Sequence, residues 1–587
     1  MGLSSEARWR WAIVVLPLVV AVVMLGRVWT HHFRFLGSDQ LVTERMVDNA
    51  WGFLRAPGSA PWSWPAQSPG CVGDHVLGLA ALMAPWSALG LTYAPAMWIT
   101  TAVTLALNGT LLGVLLRRWG VSPLGSGTAA VLAVGLPVLV QRLVHTINLE
   151  MCWILAWTIA LDFFLEKPGR LRGFSLCLAG LGLGIMPATV MQWSALCLPI
   201  LALIAVIRQR PGGKSIAGVA ALQVPALLLW CWIYHPYFTH SYPPNVIVPT
   251  PWQDALRPLG VVAWPPGPPQ ADSLATPGPV PVLGVIGLVV AIAVGRLRMV
   301  AAGLLAAVVV DLFFAMSFGA WTPVDALRGL PLFSGMRSPA RFAIPAGILA
   351  VSGVALAIDV LVAKQRPRFA LTLAGLAFSG QMLVDGGPVV PVRLVNYPPL
   401  DLRAVSDAAP PGPVLAMPTG VLDDAIGIAT GRVTVGTTNG RPTDWQQHLD
   451  SDPAAAEPTL IALQRLGLAG VITDDERAGP VPAMLQRMGA KPLATGFPGL
   501  TWWALPPKPA GTWTCTVDMA RTASGWRLTI ISEPGAPAIE GQVRAQGMTW
   551  LMVPFLPGTR AISVDLPGAE RPQLSFIPDV PVRWENQ

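Results

Sequence analysis

Residues 343–363 read AIPAGILAVSGVALAIDVLVA, and the one charge in the stretch, Asp359, stands near its end. A run of that length matches the ~20 apolar residues a helix needs to cross the hydrocarbon core of a bilayer. Trp11–Met24 is a second run of the same kind. Across all 587 residues 53% are apolar and only 12% are charged, whereas soluble globular proteins carry roughly a quarter charged residues. That composition excludes a cytosolic enzyme, a disordered protein and a disulfide-rich secreted domain. The chain reads as a multi-pass helical membrane protein.

Working outward from residue 343, segments long enough to span fall near 11–30, 94–116, 123–140, 149–165, 173–187, 190–207, 216–234, 279–295, 299–316, 341–363 and 369–386. The connections alternate in character. One set is short and basic: Arg117-Arg118, Lys167 with Arg170 and Arg172, Arg208 with Arg210 and Lys214, Arg296 with Arg298, and Lys364 with Arg366 and Arg368. Arg8 and Arg10 belong with them. The other set, 31–93, 141–148, a tight turn near 187–190, 235–278 and 317–340, has scattered arginines and no lysine. Basic residues close to span ends hold a loop in the cytoplasm. Eleven spans, with the N-terminus cytoplasmic, therefore place the C-terminal part outside the cytoplasm. The first apolar segment is long for a signal peptide, and no A-x-A site precedes His31, so it reads as a retained helix. Val76–Leu91, interrupted by Pro85 and Gly90, reads as a segment lying along the outer surface.

The net charge of +7 is unevenly spread. Residues 1–386 hold 24 Lys+Arg against 14 Asp+Glu, and residues 387–587 hold 15 against 18. The base belongs to membrane loops, and with no basic, aromatic-interleaved stripe in the tail, nucleic acid is set aside as a partner. Three regions follow: an all-α polytopic membrane domain over 1–386, a small α/β unit over 387–510 and a β-rich unit over 511–587, both extracytoplasmic. Strands are expected at Val414–Met417, Gly470–Thr473 and Thr501–Leu505, with helices at Ala456–Leu466 and Val481–Met488. From Gly511 onward, short alternating runs at Trp513–Val517, Trp526–Ser532, Thr549–Phe555, Ala561–Leu566 and Gln573–Ile577 suggest a β-sandwich. Of six cysteines, four fall in spans. Cys71 and Cys515 are outside, and two separate thiols is the simpler reading of that pair. Nothing has the spacing of a zinc site.

All seven histidines, at 31, 32, 75, 145, 235, 240 and 448, fall on the outer side, and the first outer loop adds Asp39, Glu44, Asp48 and Asp74. This concentration of titratable groups points to chemistry at the outer leaflet. In Gly37-Ser38-Asp39, spacing alone favours a helix cap, against a general base or a metal ligand. Asp74-His75 reads equally well as a cap or as a functional pair. Arg337 and Arg341 stand on the outer side and at a helix start, where the dipole repels cations. Ser338 as N-cap and Pro339 at the first helical position would begin that helix. A bound phosphate there compensates both arginines, a reading set slightly ahead of snorkelling to lipid headgroups. Asp162 and Asp359 sit near cytoplasmic ends and are expected to reach water. Asp311 is deeper, and a carboxylate at that depth is a functional candidate by default. Asn108-Gly109-Thr110 matches a glycosylation acceptor but lies inside a span.

These residues resemble a family. The plan is similar to that of the GT-C type of membrane glycosyltransferases, especially the bacterial YfhO-like group, with many spans, an acidic motif in a long first outer loop and a soluble outer domain. Gly37-Ser38-Asp39 stands where that acidic motif is expected, with Asp74-His75 as a second element. Leu330-Pro331-Leu332-Phe333 with Arg337-Ser338-Pro339-Ala340-Arg341-Phe342 resembles the group's Pro/Arg-rich entry to a late span. Val414-Leu415-Ala416-Met417-Pro418 and Thr437-Thr438-Asn439-Gly440-Arg441-Pro442 resemble stretches of its outer domain. The first loop lacks an adjacent acidic pair, and the part from Gly511 has no counterpart. The resemblance implies transfer of a sugar from a polyprenyl-phosphate donor to a glycan, lipid or protein acceptor. Asp39, with Asp74 and His75, would be catalytic; Arg337, Arg341 and His145 would hold the lipid phosphate. Trp51, Trp62 and Trp64 would stack on sugars or join an interfacial belt. No cofactor is assigned, a divalent cation such as Mg or Mn being the one candidate. The alternatives are a transporter or flippase of a lipid-linked glycan and a non-catalytic membrane scaffold.

Overall fold

Lipid offers no hydrogen-bond partners, so an apolar segment must satisfy its own backbone, and the helix is the only single-segment way to do so. The computed structural model describes residues 5–26, 76–140 except 92, 149–239, and 279–384 except 320, 328, 331, 332, 334, 335 and 337. It also describes 402–417 except 413, most of 456–507, the strands between 513 and 586, and positions 47, 50, 51, 426 and 430. Helices overlap the segments expected to span, and α2 falls in the Val76–Leu91 segment, where no span was expected: α1 (Ser5–Met24), α2 (Leu77–Ala88), α3 (Tyr93–Arg118), α4 (Pro123–Val134), α5 (Pro137–Val140), α6 (Cys152–Glu166), α7 (Arg170–Gly184), α8 (Ala188–Gln209), α9 (Gly213–Thr239), α10 (Pro279–Val294), α11 (Arg298–Ala315), α12 (Ala343–Ala363) and α13 (Pro367–Val384). Among the described residues five helices, α3, α8, α9, α11 and α12 with its entry turn, are long and apolar enough to cross a membrane by length and composition. This is a multi-pass helical membrane domain.

Several expectations shift. The first helix starts at Ser5 rather than residue 11 and continues through Pro17. The span expected over 123–140 is broken, with Gly135 and Leu136 separating α4 from α5. The segment at Val76–Leu91 is buried at its first turn and largely exposed from Ser87 onward. Val76, Leu77, Gly78, Leu79 and Ala80 are buried, and the Gly78 amide donates to Ile185 O at 3.0 Å. Its N-cap is Val76, with no side-chain cap, so the described residues do not carry the capping reading of Asp74-His75.

Small residues let the helices approach. A methyl group in place of a hydrogen on Gly353 would collide with Gly284 O across the α10–α12 contact, and one on Gly287 would meet Gly353 O. Gly109 and Gly113, four apart on α3, present the same bare face to Ala130 of α4. Close backbone approach through small residues is a main source of helix association where lipid supplies no hydrophobic drive. Asn108 is buried in this interior, which disposes of the glycosylation match.

The basic ends of the helices are tied together. Arg118, in the last turn of α3, pairs with Asp162 at 2.8 Å and with Glu166 at 3.1 Å. Arg172 meets Glu166 at 3.3 Å and lies over the Phe163 ring at 3.8 Å. Gln209 donates to Asp162 at 3.0 Å, and Arg208 donates to Arg118 O at 2.7 Å. In a second tie Arg296 pairs with Asp359 at 2.6 Å, and the Ser122 amide donates to its other oxygen at 2.8 Å. Asp162 and Asp359 are therefore buried, at 0% and 2% exposure, and meet arginines instead of water. A long guanidinium reaches over a helix end more readily than an aspartate reaches out of it.

The remaining described strands and helices, from Leu402 onward, belong to a second compact unit. Strands β1 (Val414–Met417), β2 (Gly470–Asp474), β3 (Lys491–Ala494) and β4 (Leu500–Ala504) form one sheet in the order β1-β2-β4-β3, parallel between β1 and β2 and antiparallel elsewhere. Both faces are covered: Leu415, Met417, Val471 and Trp503 pack with Met484 and Leu485 of helix Val481–Arg487, while Val414, Ala416, Ile472 and Trp502 pack on the other side. β3, an exposed edge strand, was not anticipated. Seven further strands run from β5 to β11: β5 (Trp513–Thr522), β6 (Gly525–Ser532), β7 (Glu540–Ala545), β8 (Met548–Pro554), β9 (Ala561–Pro567), β10 (Gln573–Ile577) and β11 (Val582–Asn586). They pair as β10-β7-β8 and β11-β5-β6-β9. The strands β7 and β11, which carry Glu540, Arg544, Arg583 and Glu585, were missed because their charges break the apolar alternation.

Three outcomes follow. Gly353→Val should lower stability in detergent by about 1–3 kcal/mol, as overpacking does, read as a drop in thermal midpoint. Asp162→Ala should cost more than the ~1 kcal/mol of an exposed pair and approach the ~3–5 kcal/mol of a buried one. The Arg118 hydrogen bond holds the Glu166 carboxyl below its usual range. Its contribution is present at neutral pH and lost as pH falls through that lowered value. Thermal melts of Glu166→Gln should thus fall slightly below wild type at neutral pH, the gap closing below the ordinary glutamate range.

Candidate functional site

The tied basic ends set a level from which depth is counted at about 1.5 Å per helical residue. About 20 Å above it several helices stop. There α4 breaks at Gly135-Leu136, α6 begins after Leu149–Met151, α7 gives way at Ile185–Pro187, and α2 starts against Ile185. Irregular backbone at membrane depth is tolerated only inside protein or against a water-filled cavity. Side chains satisfy part of what the breaks release. Asn108 Nδ2 donates to Leu149 O at 2.7 Å, Gln381 Nε2 donates to Leu132 O at 2.9 Å, and the Tyr234 hydroxyl donates to Met186 O. The result is a polar floor partway through the helical unit. Beneath it, toward the basic ends, Asp162 and Asp359 are closed off by their arginines.

Glu150 lies in this floor, fully buried just before α6. Its Oε2 accepts from Trp153 Nε1 at 2.8 Å and rests against the first turn of α2 at Gly78. It escaped the sequence reading because it was counted into the span over 149–165. Its place five residues after His145, at the outer end of that span, was the available signal.

Of the residues expected to act, Asp39, Asp74, His75, His145 and Arg337 lie outside the described residues. Arg341 is described. It sits half-buried in the 3₁₀ turn Pro339–Phe342 that leads into α12, and its amide donates to Ser338 O at 3.3 Å. Ser338 takes the N-cap position of that turn as expected, but its side chain makes no capping hydrogen bond, and the α-helix proper begins at Ala343. The turn is anchored by Phe342 against Phe314 of α11, ring centroids 5.8 Å apart. His235 falls in the final turns of α9, about 30 Å along that helix from basic Lys214.

Asp311, on α11, is buried, and neither carboxylate oxygen has a hydrogen-bond partner among the described residues. Cys197 of α8 lies within its electrostatic reach. Val308 and Leu312, flanking Asp311 in sequence, line a cleft of about 270 Å³ together with Val285 and Ile286 of α10 and Ala346 and Ala350 of α12. The cleft walls are apolar and begin five residues after Arg341 on the same chain. Among the described residues no group of three or more His, Cys, Asp or Glu side chains is placed to hold a metal ion.

No protein-family model matches this chain, and no curated protein matches it. Among solved structures it is similar to the crystal structure of ArnT from Cupriavidus metallidurans in the apo state, at 13% identity and a TM-score of 0.48, covering 86% of this chain and 100% of that one. That likeness is one of general shape and says nothing by itself about what this chain does.

Proposed function

We propose that this protein is a membrane glycosyltransferase of the GT-C type, moving a sugar from a polyprenyl-phosphate carrier to a glycan, lipid or protein acceptor at the outer face of the inner membrane. The observation that carries this reading is the polar floor partway through the helices, closed toward the basic ends. A flippase needs polar groups lining a route from one side to the other, whereas a transferase needs a chamber with a single mouth. The apolar cleft between α10, α11 and α12 gives a lipid chain a place to lie, with Arg341 near its end. The YfhO-like subgroup rests on the short sequence motifs alone.

In this mechanism the Asp39 carboxylate takes the proton from the acceptor hydroxyl. That oxygen attacks the anomeric carbon of the donor, the sugar–phosphate C–O bond breaks, and polyprenyl phosphate departs. Arg337 and Arg341 hold the phosphate and balance the charge that gathers on it. Asp74 and His75 orient the acceptor, and His145 assists at the phosphate. The C-terminal unit presents the acceptor.

Purified protein in liposomes, given radiolabelled polyprenyl-phosphate sugars, tests this. Asp39→Asn should lower transfer by about 10²–10⁴-fold. Arg341→Ala should weaken use of the donor by roughly 10–100-fold, the loss of a charge-assisted hydrogen bond. Full activity of a correctly inserted Asp39→Asn protein would show that the base is elsewhere. Saturable donor binding with no turnover by wild type would move the reading to a flippase.

A further inference from the structure

Just past Ala315, where α11 ends, the chain turns back on itself. The Phe318 amide donates to Trp321 O at 2.8 Å and the Trp321 amide donates to Phe318 O at 3.4 Å, closing a tight hairpin. Gly319 follows Phe318 with φ +67°, a conformation that glycine adopts without strain. Both residues of this backbone bridge are aromatic, with ring centroids 6.0 Å apart. Phe313, in the last turn of α11, lies 5.8 Å from the Phe318 ring and 6.2 Å from the Trp321 ring. A short backbone bridge thus holds three rings together. Even so, Phe313, Phe318 and Trp321 are 41%, 39% and 49% exposed. The polar side chains that flank the hairpin do not share this surface. Ser317 and Thr322 are buried, and the Thr322 hydroxyl donates to Asp325 at 2.8 Å. A small-molecule site pairs its aromatic rings with placed polar groups, and here both polar neighbours are turned inward.

We propose that Phe313, Phe318 and Trp321 form a lipid-binding surface, seated where headgroups meet acyl chains in the leaflet remote from the basic helix ends. Two observations select a phospholipid leaflet as the partner. Val309 and Phe313, four residues apart, share one face of α11 and are both exposed. On a helix that crosses the membrane such a face looks into lipid, which is as apolar as the side chains themselves. The hairpin rings, packed on Phe313, continue that face beyond the end of the helix. The second observation is depth. Phe313 stands about 22 Å along α11 from Arg298. With the basic ends at one edge of a hydrocarbon core ~30 Å thick, the rings come up close to the other edge. Trp321 brings an apolar ring and an N–H donor, the combination enriched at that level. This proposal does not rest on the transferase reading and stands or falls separately from it.

The test uses the full chain in phosphatidylcholine nanodiscs doped with a diazirine-bearing phosphatidylcholine, the diazirine placed either next to the glycerol or at the end of the acyl chain. After irradiation and proteolysis, mass spectrometry counts lipid adducts residue by residue. A parallel sample is oxidised by hydroxyl radicals generated in the water phase. Phe313, Phe318 and Trp321 should take severalfold more adduct from the shallow probe than from the deep one, while Val309 takes a larger share from the deep probe. Trp321 should oxidise severalfold more slowly in nanodiscs than in the denatured chain. In a folded protein carrying Phe318→Ser and Trp321→Ser, adducts from the shallow probe on Phe313 should fall severalfold. Oxidation of Trp321 as fast as in the denatured chain, with no adduct from either probe, puts the rings in water and overturns the proposal. Labelling chiefly by the deep probe puts them inside the hydrocarbon core and overturns it too. So does a folded double variant whose Phe313 is labelled as in wild type, because the hairpin rings then hold no lipid. If the double variant does not fold, the two wild-type measurements decide the question by themselves.

Discussion

Two buried aspartates tie together the basic ends of the helical unit. Asp162 receives Arg118 and Gln209, and Asp359 receives Arg296 and the Ser122 amide. Each carboxylate accepts on both oxygens, which is what makes its burial tolerable. The arginines come from helix ends and short loops, so each tie spans segments distant in sequence: α3 with α6 and α8, and α4 with α12 and the α10–α11 turn. Remove the ties and the helices remain helices, with two charged links between distant segments lost from their ends.

That alignment gives the helix breaks their meaning. A Gly-Leu-Pro interruption such as 135–137 is unremarkable in sequence, and so is the start of α6 or the end of α7. Brought to one depth, they form a floor where backbone groups must be met by Asn108, Gln381 and Tyr234. The same depth places Glu150 beside Gly78. Below, the glycine contacts of α3 with α4 and of α10 with α12 close the packing. An apolar cleft of about 270 Å³ remains between α10, α11 and α12.

The second unit obeys different rules. Its first sheet is buried on both faces, so β1 and β2 read as continuous apolar runs and were legible in the sequence. Its edge strand β3 is mostly exposed and was not. Among the later strands, those with clean apolar alternation were legible, and those carrying opposed charges, β7 and β11, were not. An exposed position tolerates any side chain, so it leaves little trace in the pattern.

The sequence by itself determined the solvent, the helical character of the apolar segments and the alternation of basic and lysine-free connections. These are local properties, set by the cost of leaving apolar side chains in water and backbone groups in lipid. It also pointed to Arg341 and Asp311 as unusual for where they stand. Only the tertiary structure decided that Asp162 and Asp359 turn inward to arginines, that the first turn of the Val76–Leu91 segment is buried against Ile185, and that Glu150 belongs to the floor. Each of these depends on which residue from a distant segment lies within 3 Å or so, the range over which a hydrogen bond acts. No periodicity in the chain records that distance.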